Sequence, residues 1–149
     1  MKIETILATK GPNVVTVRPN QSVQEAVNVL VAHRIGALVV VDEADHPIGI
    51  ISERDIVREL ARSDTLTNRA VSDAMTKNLI TASSDDDLAS VGKTMIDKRF
   101  RHVPVVDEGN LVGIISIGDV LKTQLELYKG QIETLQISVT EGGVGDYAA

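Results

Sequence analysis

The chain has no cysteine, no tryptophan, one phenylalanine and two tyrosines in 149 residues. The missing cysteine excludes disulfides and thiol chemistry, and it leaves the redox compartment open. Base stacking calls for aromatic platforms and backbone binding for a basic surface. With three aromatics and a net charge of −6, the chain has neither, so nucleic acid is not an expected partner. No apolar run approaches the roughly 20 residues of a membrane span, and no basic-then-apolar signal segment is present. The expectation is a soluble, cytoplasmic protein with no membrane partner. His33, His46 and His102 are scattered without metal-ligand spacing. No nucleophile–base pair is visible, so an enzyme is not expected.

What the chain does have, it has twice. Gly49-Ile50-Ile51-Ser52-Glu53-Arg54-Asp55 returns as Gly113-Ile114-Ile115-Ser116-Ile117-Gly118-Asp119, 64 positions later (113 − 49). Upstream, Ile35–Asp42 aligns with Phe100–Asp107 at a spacing of 65 (107 − 42), so the second copy is one residue shorter in the intervening turn. Thr16 aligns with Thr81, Val23 with Leu88 and Leu30 with Met95. A repeat of this period means two copies of one supersecondary unit.

Each copy has the same local grammar. An extended segment ends at Thr16 or Thr81, and helices follow over roughly 22–34 and 87–99. Two apolar runs separated by a turn come next, Ala37–Val41 with Ile48–Ile51, and Val103–Val106 with Leu111–Ile115. Such runs read as hairpin strands covered on both faces. The Ser-x-x-Asp segment then opens another helix. The predicted unit is β-α-β-β-α, an α/β (α+β) class. One copy alone would bury only about 60% of its unfolded surface, so two copies are expected to pack sheet to sheet with pseudo-twofold symmetry. The boundaries predicted are 1–66, 67–137 with an extended last helix, and a mobile tail at 138–149.

Ser52 and Asp55 stand where a strand ends and a helix begins. A helix N-terminus suits a phosphate, a serine hydroxyl can donate to it, and a carboxylate one turn on can accept from ribose hydroxyls. Arg54 can pair with phosphate. The same spacing is also a capping pattern, as Ser22-Val23-Gln24-Glu25 shows where no ligand is inferred. Capping boxes prefer Glu or Gln at the last position, whereas both copies carry Asp. Both also retain a glycine that would let a ligand approach the backbone.

The doubled pattern of an apolar run, Val-Val-Asp, a turn and Gly-Ile-Ile-Ser-x-x-Asp resembles the cystathionine-β-synthase (CBS) domain, two of which form a Bateman module. The resemblance spans about residues 5 to 125, and Val71–Thr76 is similar to the lead-in of such a repeat. Ile51–Arg58 resembles a subgroup of small stand-alone bacterial CBS-pair proteins. It implies an adenosyl ligand, AMP first, then NADH, ATP or ADP, and S-adenosylmethionine, with none of them an obligatory cofactor. It assigns Asp55 and Asp119 to ribose, and Ser52, Ser116, Arg54, Arg101 and His102 to phosphate. Thr16-Val17 and Thr81-Ala82 are assigned to the adenine. The basic groups are not duplicated: Gly118 stands opposite Arg54, and Gly36 and Ala37 opposite Arg101 and His102.

Asp85-Asp86-Asp87 reads as an N-terminal cap with favourable helix dipole. Helix 22–34 is apolar nearly all round, implying burial on two sides and a homodimer. In the last helix Leu121, Leu125, Tyr128, Ile132 and Leu135 form a two-heptad seam, which is expected to pack across a dimer or over its own module. Two functions follow. One is a ligand sensor acting through a homodimer or a separate target protein. The other is an interaction scaffold with degenerate pockets.

Overall fold

In the computed structural model, which describes residues 1–62 and 68–141, the two repeats fold alike. A leading helix α1 (Ile3–Lys10) precedes the first unit, which consists of β1 (Thr16–Val17), α2 (Val23–His33), β2 (Ala37–Val41), β3 (Pro47–Ser52) and α3 (Glu53–Arg62). A short helix α4 (Val71–Ala74) precedes the second, with α5 (Leu88–Lys98), β4 (His102–Asp107), β5 (Asn110–Ser116) and α6 (Ile117–Glu141). The β-α-β-β-α order holds in both, with one reduction. The opening strand of the second unit is a single parallel bridge, Ala82 to Val105, where the first unit pairs Val17 with Val40.

Local chemistry sets the helix ends. Ser22 accepts from the Glu25 N–H at 3.0 Å, and Asp87 accepts from the Ser90 N–H at 3.2 Å. Each satisfies a helix-start donor that has no partner inside the helix. Asp86 accepts from the Ser83 N–H, and Asp85 faces Lys2 at 3.6 Å, so the acidic run is spent on caps and surface pairing. No cluster of three or more His, Cys, Asp or Glu fit for a metal occurs among the described residues.

The hairpins β2–β3 and β4–β5 are antiparallel, with Val39 opposite Ile50 and Pro104 opposite Ile114. Both carry a bulge at the same point, between Val40 and Val41 and between Val105 and Val106, beside the turns whose lengths differ. Every residue of β2 is buried, as a strand without polar alternation should be.

Two hydrophobic cores form, and the leading helices are exchanged between them. Val17, Val23, Leu30, Leu38, Val40, Ile51 and Ile56 of the first unit pack with Val71 from α4. Leu88, Met95, Val103, Val105, Ile115 and Val120 of the second pack with Ile3 and Ile6 from α1. Backbone hydrogen bonds follow the same exchange: Ile3 N–H to Asp86 at 2.9 Å, Val71 N–H to Gln21 at 2.8 Å, and a reciprocal pair between Ile50 and Thr76. The division at 66/67 thus separates sequence repeats and does not separate packed cores. Ile3 and Val71 are fully buried, each contributing about 1.5–3 kcal/mol of apolar transfer.

The exchange also explains the repeated glycine. A Cβ on Gly49 would lie 2.5 Å from Met75 Sδ, and one on Gly113 would lie 2.4 Å from Leu7 Cδ2. The space beside each glycine is taken by a leading-segment side chain, which corrects the expectation of ligand approach there.

Helix α2 buries one face, through Val23, Ala26 and Leu30, while Val31 is 73% exposed. Burial on two sides is therefore not achieved within one chain. The seam of α6, Leu121, Leu125, Tyr128, Ile132 and Leu135, is likewise exposed and does not pack over its own module. The α6 backbone is helical through Glu141, past the expected start of the tail at 138; residues 142–149 lie outside the described residues. No helix among the described residues is long and apolar enough to cross a membrane.

Candidate functional site between the units

Both Ser-x-x-Asp motifs close into reciprocal caps. Asp55 Oδ2 accepts from the Ser52 N–H at 2.8 Å and from Ser52 Oγ at 2.9 Å, while the Asp55 N–H reaches back to Ser52 Oγ at 3.4 Å. In the second unit Asp119 Oδ2 accepts from the Ser116 N–H at 2.8 Å, and the Asp119 N–H donates to Ser116 Oγ at 3.0 Å. Aspartate thus serves as the back-bonding acid that a capping box ordinarily takes from Glu or Gln. The serine is still extended as the last strand residue, so its N–H lies within reach of the shorter side chain.

The exchanged leading segments complete each carboxylate differently. Thr76, just past α4, donates to Asp55 Oδ1 at 3.0 Å, with Arg58 Nη1 at 3.4 Å. Lys10, in the last turn of α1, donates to Asp119 Oδ2 at 2.7 Å and to the Ile114 carbonyl at 2.8 Å. Partial burial pushes Asp119 up, but the Lys10 ammonium and the Ser116 donors outweigh it and hold the carboxyl below its ordinary value. Asp55 is 5% exposed.

Between the units lies a cavity of about 500 Å³, within the range of small-molecule sites. It brings together Ser52, Arg54 and Asp55 from the first unit and Arg101, His102 and Ser116 from the second. The basic groups that sequence reading found in separate repeats therefore face one space. Asp119 is not among the lining residues but sits directly behind Ser116. Thr81 and Ala82 line a second cavity of about 350 Å³, and Phe100 borders both. Thr16 and Val17 line neither; Val17 is buried in the first core.

The structure adds residues that the motif did not point to: Arg58, Arg99 and Thr76 line the cavity, and Lys10 reaches Asp119. Arg99 had one sequence signal, its repeat partner Arg34. Both sit just past a helix in the left-handed conformation, at φ 61 and 55. Arg54, Arg99 and Arg101 have no carboxylate within ion-pair distance among the described residues. His102 is different. Burial lowers its pKa first, and the Lys10 ammonium adds to this against the opposing Asp119 and Glu53 charges. The shift favours the neutral imidazole, so His102 is less basic than its neighbour Arg101. At the helix starts, Glu53 N–H is bonded to the Gly36 carbonyl and Ile117 N–H to that of Arg101. The Arg54 and Gly118 N–H groups have no protein acceptor among the described residues.

A family model described as the CBS domain matches residues 6–62 and 71–126. A CBS-domain containing protein of Agrobacterium tumefaciens is 42% identical, with a TM-score of 0.79 over 83% of this chain and 99% of its own. The CBS domain pair of protein MJ0100, solved with 5′-methylthioadenosine and S-adenosyl-L-methionine, is 32% identical, with a TM-score of 0.74 over 88% of this chain and 98% of its own. CBSX2, solved with AMP, is 28% identical, with a TM-score of 0.67 over 78% of this chain and 90% of its own. Two curated archaeal relatives are longer, and the chain spans 39% and 58% of them. Two matched segments, two equivalent folded units and a cavity built jointly by both make this chain a tandem CBS-domain protein.

Proposed function

We propose that the chain is a regulatory module that binds an adenine nucleotide between its two units and carries no catalytic activity of its own. The observation that carries this reading is the single cavity faced by Ser52, Arg54 and Asp55 of one unit and by Arg101, His102 and Ser116 of the other. Structural neighbours solved with AMP and with S-adenosyl-L-methionine support an adenosyl ligand in general. In this reading Asp55 and Asp119 take ribose hydroxyls. Ser52, Ser116, Arg54 and Arg101 take phosphate, with His102 as a hydrogen-bonding partner. The Thr81-Ala82 backbone meets the base from the adjoining cavity, and Thr16-Val17 is its pseudo-symmetric counterpart.

The module acts as a homodimer or on a separate target protein. Supporting self-association, Val31 and Ile96 occupy equivalent places on α2 and α5 and are 73% and 68% exposed; Val57 and Leu121, equivalent on α3 and α6, are 63% and 59% exposed. A ligand regulates such an assembly only if it binds two states unequally.

One observation favours the scaffold reading: protein donors already satisfy both aspartates. Thermal shifts with AMP, ADP, ATP, NADH and S-adenosylmethionine separate the two. A ligand at 100 times its Kd stabilises by about 2.7 kcal/mol. A flat response to the whole panel would select the scaffold. If binding occurs, Asp55→Ala with Asp119→Ala weakens it about tenfold to a hundredfold, from the loss of charge-assisted hydrogen bonds.

A further inference from the structure

We infer that the cavity accepts one ligand per chain carrying two or more phosphates, read by Arg54 and Arg58 of α3 together with Arg99 and Arg101 between α5 and β4. The inference rests on the adenine-nucleotide reading for the base and ribose; the charge selectivity stands on the arginines alone.

The chain has 21 acidic and 15 basic residues, yet this cavity reverses the balance with four arginines against Glu53 and Asp55. Arg58 shares the Asp55 carboxylate at 3.4 Å. Arg54, Arg99 and Arg101 have no carboxylate partner among the described residues. Like charges gathered round one space repel, and an anionic ligand supplies the missing counter-charge. The nearby amine, Lys10, is already committed to Asp119 and the Ile114 carbonyl. The unspent cations are therefore guanidinium forks, which suit the bidentate geometry of phosphate oxygens. The three unpaired guanidiniums from two units carry three positive charges, more than the roughly two negative charges of one phosphate balance, and the Arg54 and Gly118 N–H groups lie beside them.

Pseudo-symmetry argues for a single, oriented occupant. The positions equivalent to Arg54 and Arg101 are Gly118 and Gly36, which line the same cavity and bring no charge. Arg34 and Lys122, equivalent to Arg99 and Arg58, do not line it. Each related pair thus contributes at most one cation. A second ligand turned by the pseudo-twofold would meet glycines where the first meets arginines. A sulfonium ligand would bring positive charge to a wall that already has an excess of it.

Calorimetric titration of the whole chain with adenosine, AMP, ADP, ATP, S-adenosylmethionine and pyrophosphate is the test. Expected are one site per chain, a gain of about tenfold or more from AMP to ADP, and S-adenosylmethionine weaker than AMP. Arg99→Gln and Arg101→Gln should remove the gain from AMP to ADP while leaving adenosine affinity unchanged, with circular dichroism melts confirming the fold. Equal affinity for AMP and ATP, two sites per chain, or preference for S-adenosylmethionine would overturn the inference and leave the adenine-nucleotide reading intact. Pyrophosphate binding lost in Arg99→Gln, with no response to any adenosyl compound, would defeat that reading and uphold the polyanion selectivity. Silence toward both would overturn both.

Discussion

Lys10 Nζ lies 2.7 Å from Asp119 Oδ2, bridging the last turn of the leading helix to the capping carboxylate of the opposite repeat, 109 positions away. The same ammonium donates to the Ile114 carbonyl, so one side chain ties α1 to both the last strand and the last helix. Its structural counterpart on Asp55 is the neutral Thr76 hydroxyl. The two carboxylates are duplicated in sequence and inequivalent in charge environment.

The pH dependence follows from that inequivalence. The folded pKa of Asp119 lies below its unfolded value. Its contribution to stability is therefore present above the unfolded value, near 3.9, and is lost as pH falls through the folded pKa. Denaturant melts between pH 7 and pH 2 should show Lys10→Met and Asp119→Asn with a shallower loss of stability below about pH 4 than wild type. Parallel acid limbs in all three proteins would show that the Lys10 contact does not hold the charge.

The exchange of leading helices makes a directional prediction. Ile3→Ala should cost about 2–5 kcal/mol, the usual range for emptying a buried aliphatic site. The loosening should appear in the second unit, because Ile3 belongs to the core of Leu88, Met95, Val103 and Ile115. Val71→Ala should loosen α2, β2 and β3 instead. Amide hydrogen exchange resolved by segment distinguishes this from the alternative, in which each substitution loosens its own repeat.

Gly49 and Met75 should behave as a coupled pair. An added methyl at Gly49 meets Met75 Sδ at 2.5 Å, and the Thr76 carbonyl at 3.2 Å. Gly49→Ala alone is expected to destabilise by about 1–3 kcal/mol through overpacking. In the Met75→Ala background the added cost should shrink, giving a coupling of about 0.5 kcal/mol or more in a double-mutant cycle. Additive costs would mean that the backbone contact, and not the side chain, excludes the methyl.

The exposed helical faces give a test of assembly. Val31→Glu with Ile96→Glu places charge on two equivalent exposed positions, so the isolated fold should tolerate it within about 0.5 kcal/mol. Light scattering should report a dimer for wild type and a monomer for the double variant. A wild-type monomer across the micromolar range would remove the homodimer from the proposal.

Much of this architecture is legible in one dimension. Strand Ala37–Val41 and the Ile48–Ile51 heart of strand Pro47–Ser52 show as apolar runs, and the helices begin just after Ser22 and Asp87 as their capping chemistry dictates. These signals are local, since they depend on residues a few positions apart. Helix α1 is not legible in the sequence, because its periodicity is brief and its stabilising partners lie in the second repeat. Lys10 depends on the same long-range packing, as do Arg58 and Arg99, which meet Arg54 and Arg101 only around the cavity.

The repeated Gly-Ile-Ile-Ser-x-x-Asp by itself determined that there are two like units, where each strand gives way to a helix, and which serine and aspartate meet there. Hydrophobic runs and capping spacings are properties of neighbouring residues, so the linear chain carries them in full. The tertiary structure decided what lies beside each motif: Met75 and Leu7 against the glycines, Thr76 and Lys10 on the aspartates, and arginines from both units around one space. Those neighbours come from distant parts of the chain. Only the packing of two units, each closing its core with the other's leading helix, brings them together.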